Sequence, residues 1–183
     1  TNPTLIDDLI PGTISLGYLE KVLCLLLREG VPIRDMETIL ETLGDHAGAL
    51  KDIDIVTEYV RQALKRTITR RFAEANSLRV ITVDPKVEDT IVASVKKSEA
   101  GSYLAMDPDL IQKIVNITSG EIDKVKDVIP NIIILTSPIV RIYFKKLIDQ
   151  FIPNITVLSY SEIDNTAQIQ ACLLYTSDAA DDL

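Results

Sequence analysis

One histidine and two cysteines in 183 residues leave little from which a catalytic or metal centre can be assembled. Cys24 and Cys172 have neither the number nor the spacing of a disulfide framework or a zinc site, and a reducing compartment is the simpler reading. The lone His46 sits in a Gly-Asp-His-Ala-Gly stretch, where a solvated turn is expected rather than a catalytic dyad. Walker-type glycine-rich loops and nucleophile elbows are also missing, so no enzyme, cofactor or metal site is expected. Apolar runs such as Ile132 to Leu135 fall far short of the ~20 residues a membrane helix needs, and the chain reads as soluble. Positive charge is scarce too. A net charge of −8, shared by both halves of the chain, opposes broad contact with nucleic acid or anionic lipid.

What is present is a 46% hydrophobic chain, enough for one ordinary domain or two small ones with a sizeable core. Residues 15–72 carry three apolar blocks at helical spacing: Leu19/Val22/Leu23/Leu26, Met36/Ile39/Leu40/Leu43 and Ile53/Val56/Val60/Ala63/Leu64. Cys24 is read with the buried stripe of the first helix. Gly30 and Pro32 end that helix after Arg28 or Glu29, Asp35 caps the second, and Asp52 caps a long third helix. Residues 44–49 form the break between the second and third. A short helix over residues 3–10 is expected ahead of them, closed by Pro11-Gly12. An all-α unit over residues 1–75 results, with a hinge near Glu74 to Ser77.

From Leu78 the period changes. Leu78–Val83 reads as a strand running into Asp84-Pro85 and a helix; Ser102–Met106 and Ile132–Thr136 repeat the pattern into Asp107-Pro108 and Ser137-Pro138. A cap followed by proline is a strong helix start, because the side chain satisfies one free amide and proline lacks another. Thr118-Ser119-Gly120 is expected to interrupt the middle helical stretch, with a further helix from Glu121 to Val128. Ile155–Ser159 supplies a last strand. The order argues for a small α/β unit over residues 76–171 with a mixed or parallel sheet covered by helices. Residues 172–183 break with all preceding patterns and are expected to be a non-native or disordered tail resembling translated vector sequence.

Two function classes follow from these elements alone. The first two helices and their glycine turn resemble a helix-turn-helix, which admits a DNA-binding regulator with an α/β sensor. The second helix, however, offers Glu37, Glu41 and Asp45 where bases and phosphates require positive or amide groups. A small-ligand α/β domain is the other class, but Asp84 and Asp107 occupy the strand ends and repel phosphate.

Four phrases carry a more specific signal: Leu25-Leu-Leu-Arg-Glu-Gly-Val-Pro-Ile-Arg-Asp-Met36, Ile39-Leu-Glu-Thr-Leu43, Thr57-Glu-Tyr-Val-Arg-Gln-Ala-Leu64 and Val157-Leu-Ser-Tyr-Ser-Glu-Ile163. They resemble the C-terminal cytoplasmic region of the FlhA/SctV family of flagellar and virulence export gates, over residues 1 to 165. The chain begins at Thr1 without an initiator methionine, which fits a piece of a longer protein. The resemblance implies a winged-helix-like helical subdomain followed by an α/β sandwich. It also implies membership of a homo-oligomeric, typically nonameric, ring on the cytoplasmic side of the bacterial inner membrane. Implied partners are other copies, the export ATPase stalk, and chaperones and export substrates received mainly through upstream subdomains; nucleic acid is not among them. Because the matching phrases carry them, Arg28, Glu29, Arg34, Asp35, Glu58, Arg61 and Gln62, read as exposed, become the expected contact residues. Arg141, in the family-like phrase Ser137-Pro-Ile-Val-Arg141, joins them.

Overall fold

A computed structural model describes residues 14–99 and 101–174, together with residues 10 and 12. The expected helix over residues 3–10 lies outside the described residues except for Ile10. The chain divides into two compact units. Of the described residues, one takes those up to Phe72 with Glu99, Gly101 and Glu162–Asp164; the other takes Ala73–Ser98, Ser102–Ser161 and Asn165 to Leu174.

The helical unit begins with α1, Leu16–Arg28, whose first turn is capped by the Ser15 hydroxyl accepting from the Tyr18 amide at 3.1 Å. Leu19, Val22 and Leu26 face inward. Gly30 ends the helix with φ at +71°, its amide donating to Leu27 O and that of Val31 to Leu26 O, both at 3.0 Å. This paired return is the Schellman arrangement, and it needs a residue that tolerates the left-handed conformation. Helix α2, Met36–His46, starts at Asp35, whose carboxylate accepts from the amide and hydroxyl of Thr38. Gly44 is carried within it, so the break begins only after His46. Asp52 caps α3, Ile53–Ala63, and the expected long third helix breaks at Leu64 before resuming as α4, Lys65–Phe72. Helix α3 packs against both α1 and α2. Val22, Leu26, Ile39, Leu43, Val56, Val60 and Ile68 are fully buried in this unit. Each such side chain contributes roughly 1.5–3 kcal/mol of transfer free energy.

The second unit is built on a parallel four-stranded sheet in the order β5-β4-β1-β6. Its strands are β1 Ser77–Thr82, β4 Ile133–Thr136, β5 Thr156–Ser159 and β6 Gln168–Leu174. The register pairs Val80 with Ile133 and Ile134 with Val157. Every residue of β4 is buried, as an interior parallel strand covered on both faces requires. Helices α5 Pro85–Ala93, α6 Pro108–Val125 and α7 Arg141–Asp149 supply Val87, Ile91, Ile114, Phe144 and Ile148 to the core around Ile81, Ile134 and Val157. Asp84 and Asp107 cap α5 and α6, each accepting at 2.8 Å from the amide two residues on.

Four expectations for this unit change. Helix α6 runs without interruption to Val125, because Gly120 lies on its exposed face with open space where a Cβ would stand. Ser137 gives no side-chain cap; α7 starts at Arg141, after a turn in which Ser137 O accepts from the amides of Val140 and Arg141. The strand at Ser102–Met106 is β3, Gly101–Leu104, which pairs with β2, Val95–Ser98, in a separate two-stranded sheet. Finally, residues 168–174 add a strand, pairing along β1 from Ser77↔Gln168 to Thr82↔Leu174 with a register shift between Val80 and Ile81.

Candidate protein-interaction surface

The eight residues singled out in the sequence do not form one exposed surface. Arg28, Arg34 and Asp35 are exposed at the α1–α2 turn, while Glu29 and Gln62 are half-buried. Asp35 is also committed to its cap. Glu58 and Arg61 are buried, which corrects their reading as exposed, and the contact candidate Arg141 is buried too. Arg141 belongs to the α/β unit, where its Nη1 donates to the carbonyl of Val157 at 3.2 Å beneath the start of α7.

Burial of Arg61 has a clear cause. On α3 it keeps 1% of its side-chain surface, and its guanidinium grips Glu162 from both sides: Nε donates to Oε1 at 2.6 Å and Nη2 to Oε2 at 3.1 Å. This two-pronged geometry suits the planar fork of arginine and explains why a buried cation is tolerated. Nη1 lies 3.3 Å from Glu29 Oε2, within ion-pair distance but out of hydrogen-bond alignment. Glu29 is the residue that closes α1, so one guanidinium joins the end of α1, the middle of α3 and the returning segment Glu162–Asp164. That segment is fastened a second time at α4, where Thr69 Oγ1 accepts from the Asp164 amide at 2.8 Å and reaches Glu162 O at 3.5 Å.

The outward side of α1 carries features that lie off its apolar stripe. Leu16 and Leu27 are 68% and 53% exposed. Cys24 is exposed rather than part of the buried stripe. A groove of about 440 Å³ runs along this side, lined by Gly17, Lys21, Cys24 and Arg28 of α1 with Ile53 and Asp54 of α3. The signal for it is present in the sequence: α1 holds more leucines than one helical face can bury. His46 stacks on Tyr59, with ring centroids 4.3 Å apart and planes 14° from parallel. Burial, and secondarily the Asp52 carboxylate, push the Tyr18 phenol above its ordinary pKa of 10.0. Among the described residues, no group of histidine, cysteine and acidic side chains is placed to hold a metal ion. No described helix is long and apolar enough to cross a membrane.

The fold as a whole is shared with solved cytosolic domains of type III secretion proteins. The structure matches nonameric EPEC SctV-C at a TM-score of 0.79 and 30% identity, over 94% of this chain and 52% of that one. It matches the Chlamydia pneumoniae CdsV chain, solved in complex with CdsO, at a TM-score of 0.80 and 34% identity, over 92% of this chain and 49% of that one. In sequence it is 39% identical over 170 residues to the flagellar biosynthesis protein FlhA of Bacillus subtilis. The FHIPEP family model matches residues 1–168, and the chain belongs to that family. It spans about a quarter of the length of the curated relatives it matches, 25% for the Bacillus protein.

Proposed function

We propose that this region is part of the cytoplasmic ring of a flagellar-type protein export gate and works by protein contact. The observation that carries this reading is the likeness to a nonameric SctV cytosolic assembly across nearly the whole chain. Within such a ring the exposed charges at the α1–α2 turn, Arg28 and Arg34, are suited to set register between copies, because rim charges act on alignment and association more than on raw affinity. Identity to the Bacillus FlhA protein favours the flagellar branch. On this reading the export ATPase stalk would be a further partner, chaperones and export substrates would be received mainly by upstream subdomains, and the ring would lie at the cytoplasmic side of the inner membrane. Buried Arg61, through Glu29 at the end of α1, would support that surface from beneath, whereas buried Glu58 and Arg141 would not touch a partner directly.

The test is export in a flagellated host carrying the full-length parent protein with Arg34→Glu, its cellular level followed in parallel. Loss of secretion at an unchanged level is expected. Normal secretion would remove Arg34 from the contact surface.

A further inference from the structure

Arg61 stands between two carboxylates but engages them unequally. Glu162, with no exposed side-chain surface, takes both hydrogen bonds. Glu29, 17% exposed, lies 3.3 Å from an Nη1 that is buried and makes no hydrogen bond. A buried guanidinium that loses its carboxylate is left uncompensated in a medium that solvates it poorly, which normally forbids local opening. Here a second carboxylate is already within reach.

We propose that Arg61, Glu29 and Glu162 form a two-position latch that lets the helical unit release the Glu162–Asp164 segment without unfolding. In the closed state the fork holds Glu162, and Thr69 holds the Asp164 amide. In the open state the guanidinium turns onto Glu29, Nη1 gains the hydrogen bond it lacks when closed, and Glu162 moves into water. Glu29 therefore stabilises the open state more than the closed one. Because Glu29 closes α1 immediately before the Gly30 turn, the exchange couples segment release to the end of α1 that presents Arg28.

The latch makes a prediction of sign that a purely structural ion cluster does not. Hydrogen exchange at the Asp164 amide reports release of the segment, and the Ile68 amide, which donates to Leu64 O within the same unit, serves as the reference for general loosening. Glu162→Gln should lower the Asp164 protection, relative to Ile68, by about tenfold or more, since the segment loses its charged anchor. Glu29→Gln should raise it by about threefold or more, because opening would then strand Arg61 with neither carboxylate. If Glu29→Gln lowers that ratio or leaves it unchanged, Glu29 is only a brace of the closed state and the latch is refuted.

Discussion

Replacing Arg61 with alanine should be the most damaging single change in the helical unit. The substitution removes two charge-assisted hydrogen bonds from Glu162, a carboxylate with no exposed surface, and empties the space of a long side chain. Breaking a buried ion pair from one side costs ~3–5 kcal/mol. The lower end applies here, about 3 kcal/mol, because the Glu162–Asp164 segment can relax outward and rehydrate its carboxylate. For a unit of this size each kcal/mol lowers the melting midpoint by roughly 4–8 °C, so a fall of about 12 °C or more is expected. Urea titration followed by far-ultraviolet circular dichroism, with thermal melts alongside, measures it. The companion variant carrying Arg61→Met and Glu162→Met removes both charges and keeps apolar volume. It should recover most of the loss, with a coupling of at least ~2 kcal/mol between the two positions. A single-variant loss below about 1 kcal/mol, or a double variant as unstable as the single one, would refute the view that the pair fastens the segment.

Two further outcomes follow from local geometry. Gly30→Ala should destabilise by about 1–2 kcal/mol in the same denaturation assay, because the residue must hold a left-handed conformation. Crowding adds nothing there, since the nearest side-chain atom, on Phe72, is 3.9 Å from an added Cβ. For Tyr18, the folded pKa lies above the unfolded value of 10.0, so stability from keeping the phenol neutral is present below pH 10 and is lost as pH rises through the folded value. An ultraviolet titration should find a tyrosine midpoint above 10.0 that Asp52→Asn moves only part of the way down, because burial is the larger cause. Asparagine preserves the cap at that position, so the shift reports charge alone.

Much of the fold is legible because it is set by local chemistry. Asp35, Asp52, Asp84 and Asp107 each announce a helix start through a side chain that accepts from an amide two or three residues ahead. Gly30 announces an end for an equally local reason. Misread features depend on distant partners. Arg61 looks like a surface residue because it is off the apolar stripe, and its burial follows from Glu162, 101 positions away. Arg141 is covered through contact with the backbone of β5, which no spacing within its own helix reveals. Strand β6 is short of β-branched residues and is specified by its pairing with β1 rather than by its own composition. Gly120 suggests a break that the helix does not take, since a helical glycine lowers stability without forbidding the conformation.

The proposed contact surface itself was only partly visible. Arg28 and Arg34 stand where the charge pattern puts them, at the turn between α1 and α2. Leu16, Leu27 and the groove beside Cys24 are a separate feature of α1, and their signal is an excess of apolar residues over what the helix buries. A leucine count around the full circumference of the helix, rather than along its best stripe, would have found them.

Whether the α1–α2 turn meets another copy of the protein, as proposed, is decided by photo-crosslinking. A photoreactive residue replaces Arg34 in the full-length protein in its membrane, with the exposed Lys146 of α7 as the comparison position. Adducts at multiples of the protomer mass are expected from position 34, in yield well above that from position 146. Protomer alone from position 34, or equal yields from the two positions, would contradict the proposed contact.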